Sequence, residues 1–382
     1  MNTERFISEI RLDSAKDMLK DMIAIPSVTG NEGKLAEYIE KKLIGFGLDK
    51  VRKQQVEEGR YNVIAELNGV LPGKTTLLTG HMDTVAPGAG WETDPFEAVE
   101  KDGRIYGRGA NDMKAGISVI LELARIISKN RNDFSGKILI ALVCDEEAYS
   151  AGVIELLKEG IKADFGLSAE PEYNAMLIGA VGKILIKADI EGKSAHAAQP
   201  QCGTNAIEDA GRFLAGMESL GSFAHERMGR HPYVTLKISG GPEGYCMVVP
   251  EHCTILINKH TVPGESREAV LESMEKLVRN KNLKSKFRFS VERPFYPPYE
   301  VSEEHKSVKL LCEIYQKVTG RELPVAYGDG VCDNNYLVPE AGIPTVCLGP
   351  SGANMHSGNE WVEVKQIEDI LKIYMHFLIM QD

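Results

Sequence analysis

The chain has 382 residues, of which 43% are hydrophobic and 26% are charged, and its formal net charge is −11. This length is large for one domain, so we expect two domains. An acidic chain with no Lys/Arg-rich run and no apolar stretch of about 18 residues is expected to bind neither nucleic acid nor a membrane.

The first part of the chain alternates between helical and strand patterns. Apolar residues at helical spacing predict two opening helices, the second of which ends at "GFG" (45–47). Later segments predict a helix at 113–128 and strands at 61–67, 74–80, 137–143 and 165–169. Strands that alternate with helices indicate an α/β domain with a largely parallel core sheet.

The pattern changes near residue 176. The following segments predict a β-α-β-β-α-β order, at 182–192, 204–220, 233–239, 253–260, 266–280 and 286–292. This order is typical of a ferredoxin-like domain. The proline-rich segment 292–300 predicts a rigid linker, and a helix, a strand and a final helix are predicted after it, at 302–318, 344–348 and 366–380. We therefore expect a discontinuous α/β domain (1–177 and 293–382) with an inserted ferredoxin-like domain (178–292).

Five turns that carry acids or histidine follow predicted strands or lead a helix. They are "GHMDTV" (80–85), "GRGANDMKAG" (107–116), "CDEE" (144–147), "SAEP" (168–171) and "NMHSGNEW" (354–361). Each alone has an ordinary explanation, such as a surface pair at His81 and Asp83, a helix N-cap at Asp112 or a solvated acid at Glu170.

Taken together, the five turns indicate a metal site, because ligands of α/β sheets bind beyond the carboxyl ends of strands. Two histidines and several carboxylates suit Zn²⁺, Mn²⁺ or Co²⁺. Bound divalent ions would also offset the repulsion between the acids.

These motifs, together with "GKSAHAAQPQCGTNAI" (192–207), resemble the successive motifs of the co-catalytic zinc amidase and peptidase family. That family includes acetylornithine deacetylase, succinyl-diaminopimelate desuccinylase, aminoacylase and glutamate carboxypeptidase. The resemblance runs from residue 25 to the final helix. It implies an α/β fold in which a zinc-peptidase-like three-layer catalytic domain carries an inserted ferredoxin-like lid and dimerisation domain.

The resemblance also implies two divalent metal ions, with Zn²⁺ expected and Co²⁺ or Mn²⁺ as alternatives. Asp112 would bridge both ions. His81 and Glu170 would complete one site, and Glu147 and His356 would complete the other. Asp83 would orient His81, and Glu146 would be the general base that takes a proton from the metal-bridging water. His196 would hydrogen-bond the substrate carbonyl oxygen. Asp145 is expected to cap the turn.

The chain departs from the family pattern where substrate is usually held. The family often has an Arg, in the pattern D-x-R, that binds the substrate's α-carboxylate, and here Asn258-Lys259-His260 stands in its place. We therefore expect His260 or Lys259 to replace this contact, with Asn205 near the same pocket. In "GDGVCDNNYL" (328–337), Asp333 keeps the family's acid, so this segment is expected to shape the pocket.

The expected function is hydrolysis of the amide bond of an N-acyl amino acid, as in a deacetylase, desuccinylase or aminoacylase. The alternatives are a small-peptide carboxypeptidase or dipeptidase, a non-catalytic ligand-binding member, and a phosphoesterase, which the lack of an Arg or Lys cluster disfavours. The resemblance implies a homodimer through residues 178–292. Seven cysteines without a CxxC pair, and no signal-peptide core, indicate a cytoplasmic protein.

Overall fold

The computed structural model describes residues 3–221 and 223–381. The chain divides into two compact units, of which the first comprises Met1–Gly179, Glu300–Ala326 and Cys332–Asp382 and the second comprises Ala180–Tyr299 and Tyr327–Val331. Among the described residues, no helix combines the length and the apolar character that a membrane span requires.

The helices and strands of the described residues are numbered in chain order. The helices are α1 (Thr3–Ser8), α2 (Leu12–Ile23), α3 (Gly33–Gly45), α4 (Ala115–Lys129), α5 (Ala151–Leu157), α6 (Ala206–Gly216), α7 (Arg267–Asn280), α8 (Lys306–Thr319), α9 (Asn334–Leu337) and α10 (Val364–Met380). The strands are β1 (Asp49–Glu57), β2 (Arg60–Asn68), β3 (Leu71–His81), β4 (Val99–Lys101), β5 (Arg104–Tyr106), β6 (Ser135–Val143), β7 (Phe165–Ser168), β8 (Met176–Ala180), β9 (Gly182–Glu191), β10 (Tyr233–Gly240), β11 (His252–Thr261), β12 (Lys286–Tyr296), β13 (Tyr299–Glu300), β14 (Val325–Gly328), β15 (Thr345–Cys347), β16 (Gly352–Ala353) and β17 (Trp361–Glu363).

The large sheet of the first unit has the strand order β1-β2-β6-β3-β7-β15-β8. Strands β6, β3, β7 and β15 are parallel, whereas β1, β2 and β8 pair antiparallel with their neighbours. The prediction of a largely parallel sheet is therefore right for its centre and wrong for its edges. Strand β1 was not predicted because its residues, DKVRKQQVE, are mostly polar and give no apolar strand pattern.

Two successive helical connections run in opposite directions along the sheet, on either side of β3. The chain passes through α4 to β6, on one side of β3, and then through α5 to β7, on the other side. Because such crossovers are right-handed, opposite directions place α4 and α5 on opposite faces of the sheet, which gives three layers. The carboxyl end of β3 is thus a topological switch point, where α/β proteins bind ligands.

A small antiparallel sheet in the same unit has the order β16-β17-β5-β4. In its register Trp361 pairs with Tyr106 and Glu363 pairs with Arg104. The segment just before β17 therefore lies beside the turn that follows β5, although the two are separated by about two thirds of the chain.

The second unit is a four-stranded antiparallel sheet in the order β10-β11-β9-β12, with α6 and α7 as its helices. This is the order of a ferredoxin-like fold, as the sequence predicted. Alternate residues of the strands pack against the helices to form its core, which includes Ile184, Ile186, Phe213, Ile257 and Met274.

The structure corrects two details of the predicted elements. The segment 292–300 is not a linker, since β12 continues to Tyr296 and β13 begins at Tyr299, so the second unit extends past the expected end at residue 292. The opening region has three helices instead of two, because α1 ends at Ser8 and α2 begins at Leu12. The apolar spacing continues across that break and gave no sign of it.

The core of the second unit leads to a stability prediction. Phe213 is fully buried, and its ring centroid lies 5.3 Å from that of Phe287 and 5.6 Å from that of Phe289. Replacing Phe213 with Ala would remove these contacts and leave a cavity. We expect the free energy of unfolding to fall by about 3–5 kcal/mol in urea denaturation.

Phe223→Ala is the matched control, because the Phe223 side chain is 54% exposed and should contribute little. Equal losses of stability in the two variants would contradict the proposed core.

Candidate metal centre

Three parallel strands of the first unit deliver polar side chains to one edge of the sheet. His81 is the last residue of β3, Asp145 to Glu147 follow β6, and Glu170 follows β7. Strand β3 lies between β6 and β7, so the three carboxyl ends are neighbours. The strand order is therefore consistent with the prediction that these turns lie together at one edge of the sheet, here called the rim.

The His81 ring is buried and has a defined orientation. Its Nδ1 donates a hydrogen bond to the backbone carbonyl oxygen of Asp83 at 2.9 Å, while the nearest Asp83 carboxylate oxygen is 3.6 Å away. This bond leaves Nε2 facing an Asp112 oxygen at 3.0 Å and a Glu170 oxygen at 3.8 Å. The hydrogen bond that orients Nδ1 is thus made with the Asp83 backbone, while the Asp83 carboxylate lies farther from the ring.

The Asp83 carboxylate binds the turn that carries the acids. Its two oxygens accept the backbone N–H groups of Glu146 and Glu147, each at 3.1 Å, and the Thr29 hydroxyl at 3.0 Å. Burial opposes the ionisation of Asp83, but His81 and these donors outweigh it and lower its pKa. Asp83 therefore joins the end of β3 to the turn after β6.

Asp112 lies between two imidazole rings. One of its carboxylate oxygens is 3.0 Å from His81 Nε2 and the other is 3.1 Å from His356 Nε2. Burial disfavours its charged form, but the hydrogen bonds with His356 and His81 lower its pKa below the usual range. One oxygen directed to each side is the arrangement that a carboxylate bridging two cations needs.

Glu147 completes the second side of this arrangement. Its carboxylate oxygens lie 3.0 and 3.2 Å from His356 Nε2. Burial raises the pKa of Glu147 to about 7, and the attraction of His81 and His356 only partly counters this effect. Donor atoms of His81, Asp112 and Glu147 all lie within 4.8 Å of one another, close enough to share a cation.

Glu146 differs from its neighbour. Its backbone N–H binds Asp83, but no described residue hydrogen-bonds its carboxylate. Burial, followed by repulsion from Glu170 and Asp333, raises its pKa well above the usual range, despite the attraction of His81. A carboxylate of this kind is suited to accept a proton.

Burial also raises the pKa of two further acids, Asp333 and Glu172, each to about 7. One oxygen of Asp333 is fully buried without a hydrogen-bond partner. The rim of the first unit therefore concentrates negative charge beyond the predicted ligands.

Asp145 caps the turn after β6, as its sequence position predicts. One of its oxygens accepts the backbone N–H of Ala151, at the start of α5, at 3.1 Å, and the other accepts a hydrogen bond from Arg60 at 2.6 Å. Arg60 also binds the buried Glu32 carboxylate through two nitrogens, at 3.0 and 2.6 Å. A single guanidinium thus holds two buried acids in place.

Arg60, Arg108 and Glu360 are not among the site residues predicted from the sequence. Arg108 and Glu360 form a fully buried ion pair at 2.5 Å, and Glu360 also accepts backbone N–H groups of the Asp112 turn. The one available signal was the arginine between two glycines in "GRG" (107–109), an unusual place for a buried charge.

The remaining predicted site residues belong to the second unit. His196 is exposed, and its Nδ1 accepts the backbone N–H of Ala198 at 3.1 Å. Asn205 is the N-cap of α6, where its side-chain oxygen accepts the N–H groups of Ile207 and Glu208. These bonds give Asn205 a capping role, and its contact with substrate stays a prediction.

Lys259 requires a correction. Its side chain is fully buried, and its ammonium donates to a Glu265 carboxylate oxygen at 3.1 Å and to the carbonyl oxygens of His231 and His260. All three donors are therefore used within the second unit, so the expected contact of Lys259 with substrate does not fit. His260, the next residue on β11, points to the other face of the sheet and is only half-buried.

Comparison with known proteins agrees with this architecture. The sequence matches Peptidase family M20/M25/M40 over residues 77–380, which is most of its length. The chain belongs to peptidase family M20/M25/M40. An N-formyl-4-amino-5-aminomethyl-2-methylpyrimidine deformylase of Bacillus subtilis (strain 168) is 29% identical, over 96% of this chain and 93% of that protein. A succinyl-diaminopimelate desuccinylase of Sulfurimonas denitrificans is 25% identical, over 95% and 98% respectively.

Solved structures of M20/M25/M40 peptidases show the same fold. A tripeptidase of Staphylococcus aureus has a TM-score of 0.78 at 25% identity, covering 97% of this chain and 99% of that one. The Bacillus subtilis YXEP protein, described as a dinuclear metal binding peptidase of the M20 family, has a TM-score of 0.74 at 15% identity, with 99% and 98% coverage. As a member of this family, the chain is a metal-dependent hydrolase of the amidohydrolase and peptidase type.

The buried charges beneath the M20/M25/M40 motif "CDEE" lead to a prediction. Replacing Arg60 with Met leaves Glu32 and Asp145 buried without their shared cation. We expect the free energy of unfolding to fall by about 3–5 kcal/mol, because uncompensated buried charges are strongly destabilising. Chemical denaturation measures the change.

Arg52→Met is the control, since the Arg52 side chain is 42% exposed and its pairing with Glu159 lies at the surface. If both variants were as stable as the wild type, the role given to Arg60 would be wrong.

Proposed function

We propose that this chain hydrolyses the amide bond of an N-acyl amino acid, with water as the nucleophile and Glu146 as the general base. The main support for this proposal is that the Glu146 carboxylate has no hydrogen-bond partner among the described residues. It nevertheless lies beside acids and histidines that are paired with one another. A carboxylate with a raised pKa can take a proton from water and return it to the leaving amine.

The donor set fits two divalent ions. Asp112 would bridge them, with His81 and Glu170 on one side and Glu147 and His356 on the other, which the contacts at 3.0–3.8 Å support. Imidazole nitrogens and carboxylate oxygens favour Zn²⁺, and Co²⁺ and Mn²⁺ accept the same ligands. When bound, such ions lower the pKa of water and polarise the scissile carbonyl group.

Other residues of the chain would position the acids and hold the substrate. Asp83 holds the backbone of Glu146 and Glu147, so that one acid faces His356 and the other remains available for the proton. His196 would donate a hydrogen bond to the carbonyl oxygen as negative charge develops there. We assign the contact with the amino-acid carboxylate to His260, because Lys259 is already paired.

Relatives support acyl-amide chemistry and keep one alternative open. The deformylase and the desuccinylase are named for removing acyl groups, whereas the tripeptidase is named for short peptides. A small-peptide carboxypeptidase or dipeptidase is therefore the second candidate. A non-catalytic ligand-binding role is disfavoured, because a binding protein has no use for an acid such as Glu146, whose carboxylate has no hydrogen-bond partner among the described residues.

Replacing Glu146 with Gln tests the proposal. The amide cannot accept the proton, so we expect kcat to fall by about 10²- to 10⁴-fold while the content of bound metal stays at the wild-type level. Activity is measured on N-acetyl, N-succinyl and N-formyl amino acids and on dipeptides, with Zn²⁺, Co²⁺ or Mn²⁺ added back.

Glu155→Gln, in the following helix, is the control and should be fully active, because the Glu155 carboxylate pairs with the surface residue Lys158. Wild-type kcat in Glu146→Gln would refute the general-base role. Turnover of dipeptides without any N-acyl amino acid would favour the peptidase alternative.

We further propose a cytoplasmic homodimer formed through the second unit. Strand β10 is the edge strand of its sheet, and three of its apolar side chains, Val234, Leu236 and Ile238, are 46–56% exposed. An uncovered apolar edge strand tends to pair with another strand. A second copy of the chain offers such a strand by symmetry.

Replacing Leu236 with Lys should separate the copies, because a charge on an edge strand opposes pairing. We expect static light scattering to give half the wild-type mass. Ser290→Lys, on the opposite edge strand β12, adds the same charge and should leave the mass unchanged. A monomeric variant with full activity would show that His196 is not contributed by a partner subunit.

A further inference from the structure

The Glu360 side chain lies fully buried beneath the turn that carries Asp112. Its two oxygens accept four hydrogen bonds, from Arg108 Nη1 at 2.5 Å and, each at 2.9 Å, from the backbone N–H groups of Gly109, Asn111 and Asp112. One carboxylate therefore accepts hydrogen bonds from three backbone N–H groups of this turn, including that of Asp112, the residue proposed to bridge the metals.

The turn needs such an acceptor because its backbone is not helical. Asp112 has φ −117° and ψ 97°, and α4 begins only at Ala115. The N–H groups of Gly109, Asn111 and Asp112 are instead bound by the Glu360 carboxylate, and a buried donor left unpaired costs about 1–3 kcal/mol. Glu360 satisfies them together, and in doing so it fixes the direction in which the Asp112 side chain leaves the backbone.

Arg108 links the same carboxylate to the other metal-binding segments. Its Nη2 donates to the carbonyl oxygen of Pro87, in the segment that follows Asp83, and to that of Ser357, the neighbour of His356, each at 3.1 Å. The Arg108–Glu360 pair thus connects three segments that end at the candidate metal centre.

We propose that Glu360 is a positioning residue whose negative charge sets the geometry of Asp112 for binding divalent cations. The proposal rests on the proposed function, since it takes Asp112 as a metal ligand. A neutral amide of the same size would fail, because its NH₂ group would face N–H donors and Arg108 would lose its counter-ion. Charge, and not only shape, is therefore required at this position.

Titration with Co²⁺ tests the proposal. The wild type, Glu360→Gln and Glu360→Asp are titrated, the visible absorption of bound Co²⁺ is recorded, and dissociation constants are obtained by competition with a chelator. We expect Glu360→Gln to bind Co²⁺ about 10- to 100-fold more weakly, with an altered spectrum. Glu360→Asp keeps the charge on a shorter side chain and should bind with intermediate affinity.

Glu363→Gln is the matched control, because Glu363 lies on the same segment, is 33% exposed and pairs only loosely with Arg104. It should bind Co²⁺ as the wild type does. Near-ultraviolet circular dichroism establishes that each variant is folded. If Glu360→Gln does not fold, Glu360→Asp tests the positioning role, because its carboxylate is set back by one methylene group, and a Co²⁺ affinity and spectrum both identical to the wild type would show that Glu360 does not set the geometry of Asp112.

Two other results would also overturn it. One is wild-type affinity and spectrum in Glu360→Gln, and the other is tighter binding by Glu360→Gln than by Glu360→Asp, which would mean that shape matters and charge does not. Failure of the wild type itself to bind two Co²⁺ ions would instead contradict the proposed function.

Discussion

The constraint on which this site depends is the density of negative charge at the carboxyl ends of three parallel strands. Glu146, Glu147 and Glu170 all have raised pKa values because burial deprives their charged forms of water. Imidazoles offset part of this charge, and among the described residues they are those of His81 and His356, which both also bind Asp112. Protons or metal cations must balance the rest, and the family to which the chain belongs uses metal.

Among the described residues, the acids that face the candidate metal centre form no hydrogen bonds with the buried arginine side chains that stabilise the surrounding turns. Arg60 and Arg108 each bind acids that lie behind the rim, Asp145 in one case and Glu360 in the other. Neither guanidinium is bonded to a proposed metal ligand, so neither competes with metal for the carboxylates. The two turns are in this way made rigid by buried ion pairs, while the oxygens that face the cluster remain available.

The sequence predicted the part of the site that follows from strand order. His81, Glu147 and Glu170 each lie at, or within four residues of, the end of a strand, and parallel strands bring such positions together. It could not predict the direct partner of His81 Nδ1, which is a backbone carbonyl two residues away. Nor does any pattern distinguish Arg60 or Glu360 from ordinary surface charges, because their importance comes from contacts with residues 28 to 252 positions away in the chain.

Asp112 and His356 show why the motif resemblance was needed as well. Asp112 precedes a helix and would be assigned as an N-cap, yet its backbone is extended and its carboxylate points to two histidines. His356 has a left-handed backbone, with φ 59°, in a loop without periodicity. Local propensity predicts neither arrangement, since both depend on the small sheet that joins β5 to β17.

Strand alternation places Lys259 and His260 on opposite faces of the second unit's sheet. On β11 the buried positions Ile255, Ile257 and Lys259 share the face covered by the helices, and the ammonium of Lys259 is paired there with Glu265. His260 lies on the opposite face, where Lys183 of β9 is its cross-strand neighbour. Burial, and then His231 and Lys183, lower the pKa of His260, so at neutral pH its imidazole is uncharged. If the proposed contact with a substrate carboxylate is made from this face, an uncharged imidazole would contribute a hydrogen bond to it but no permanent charge.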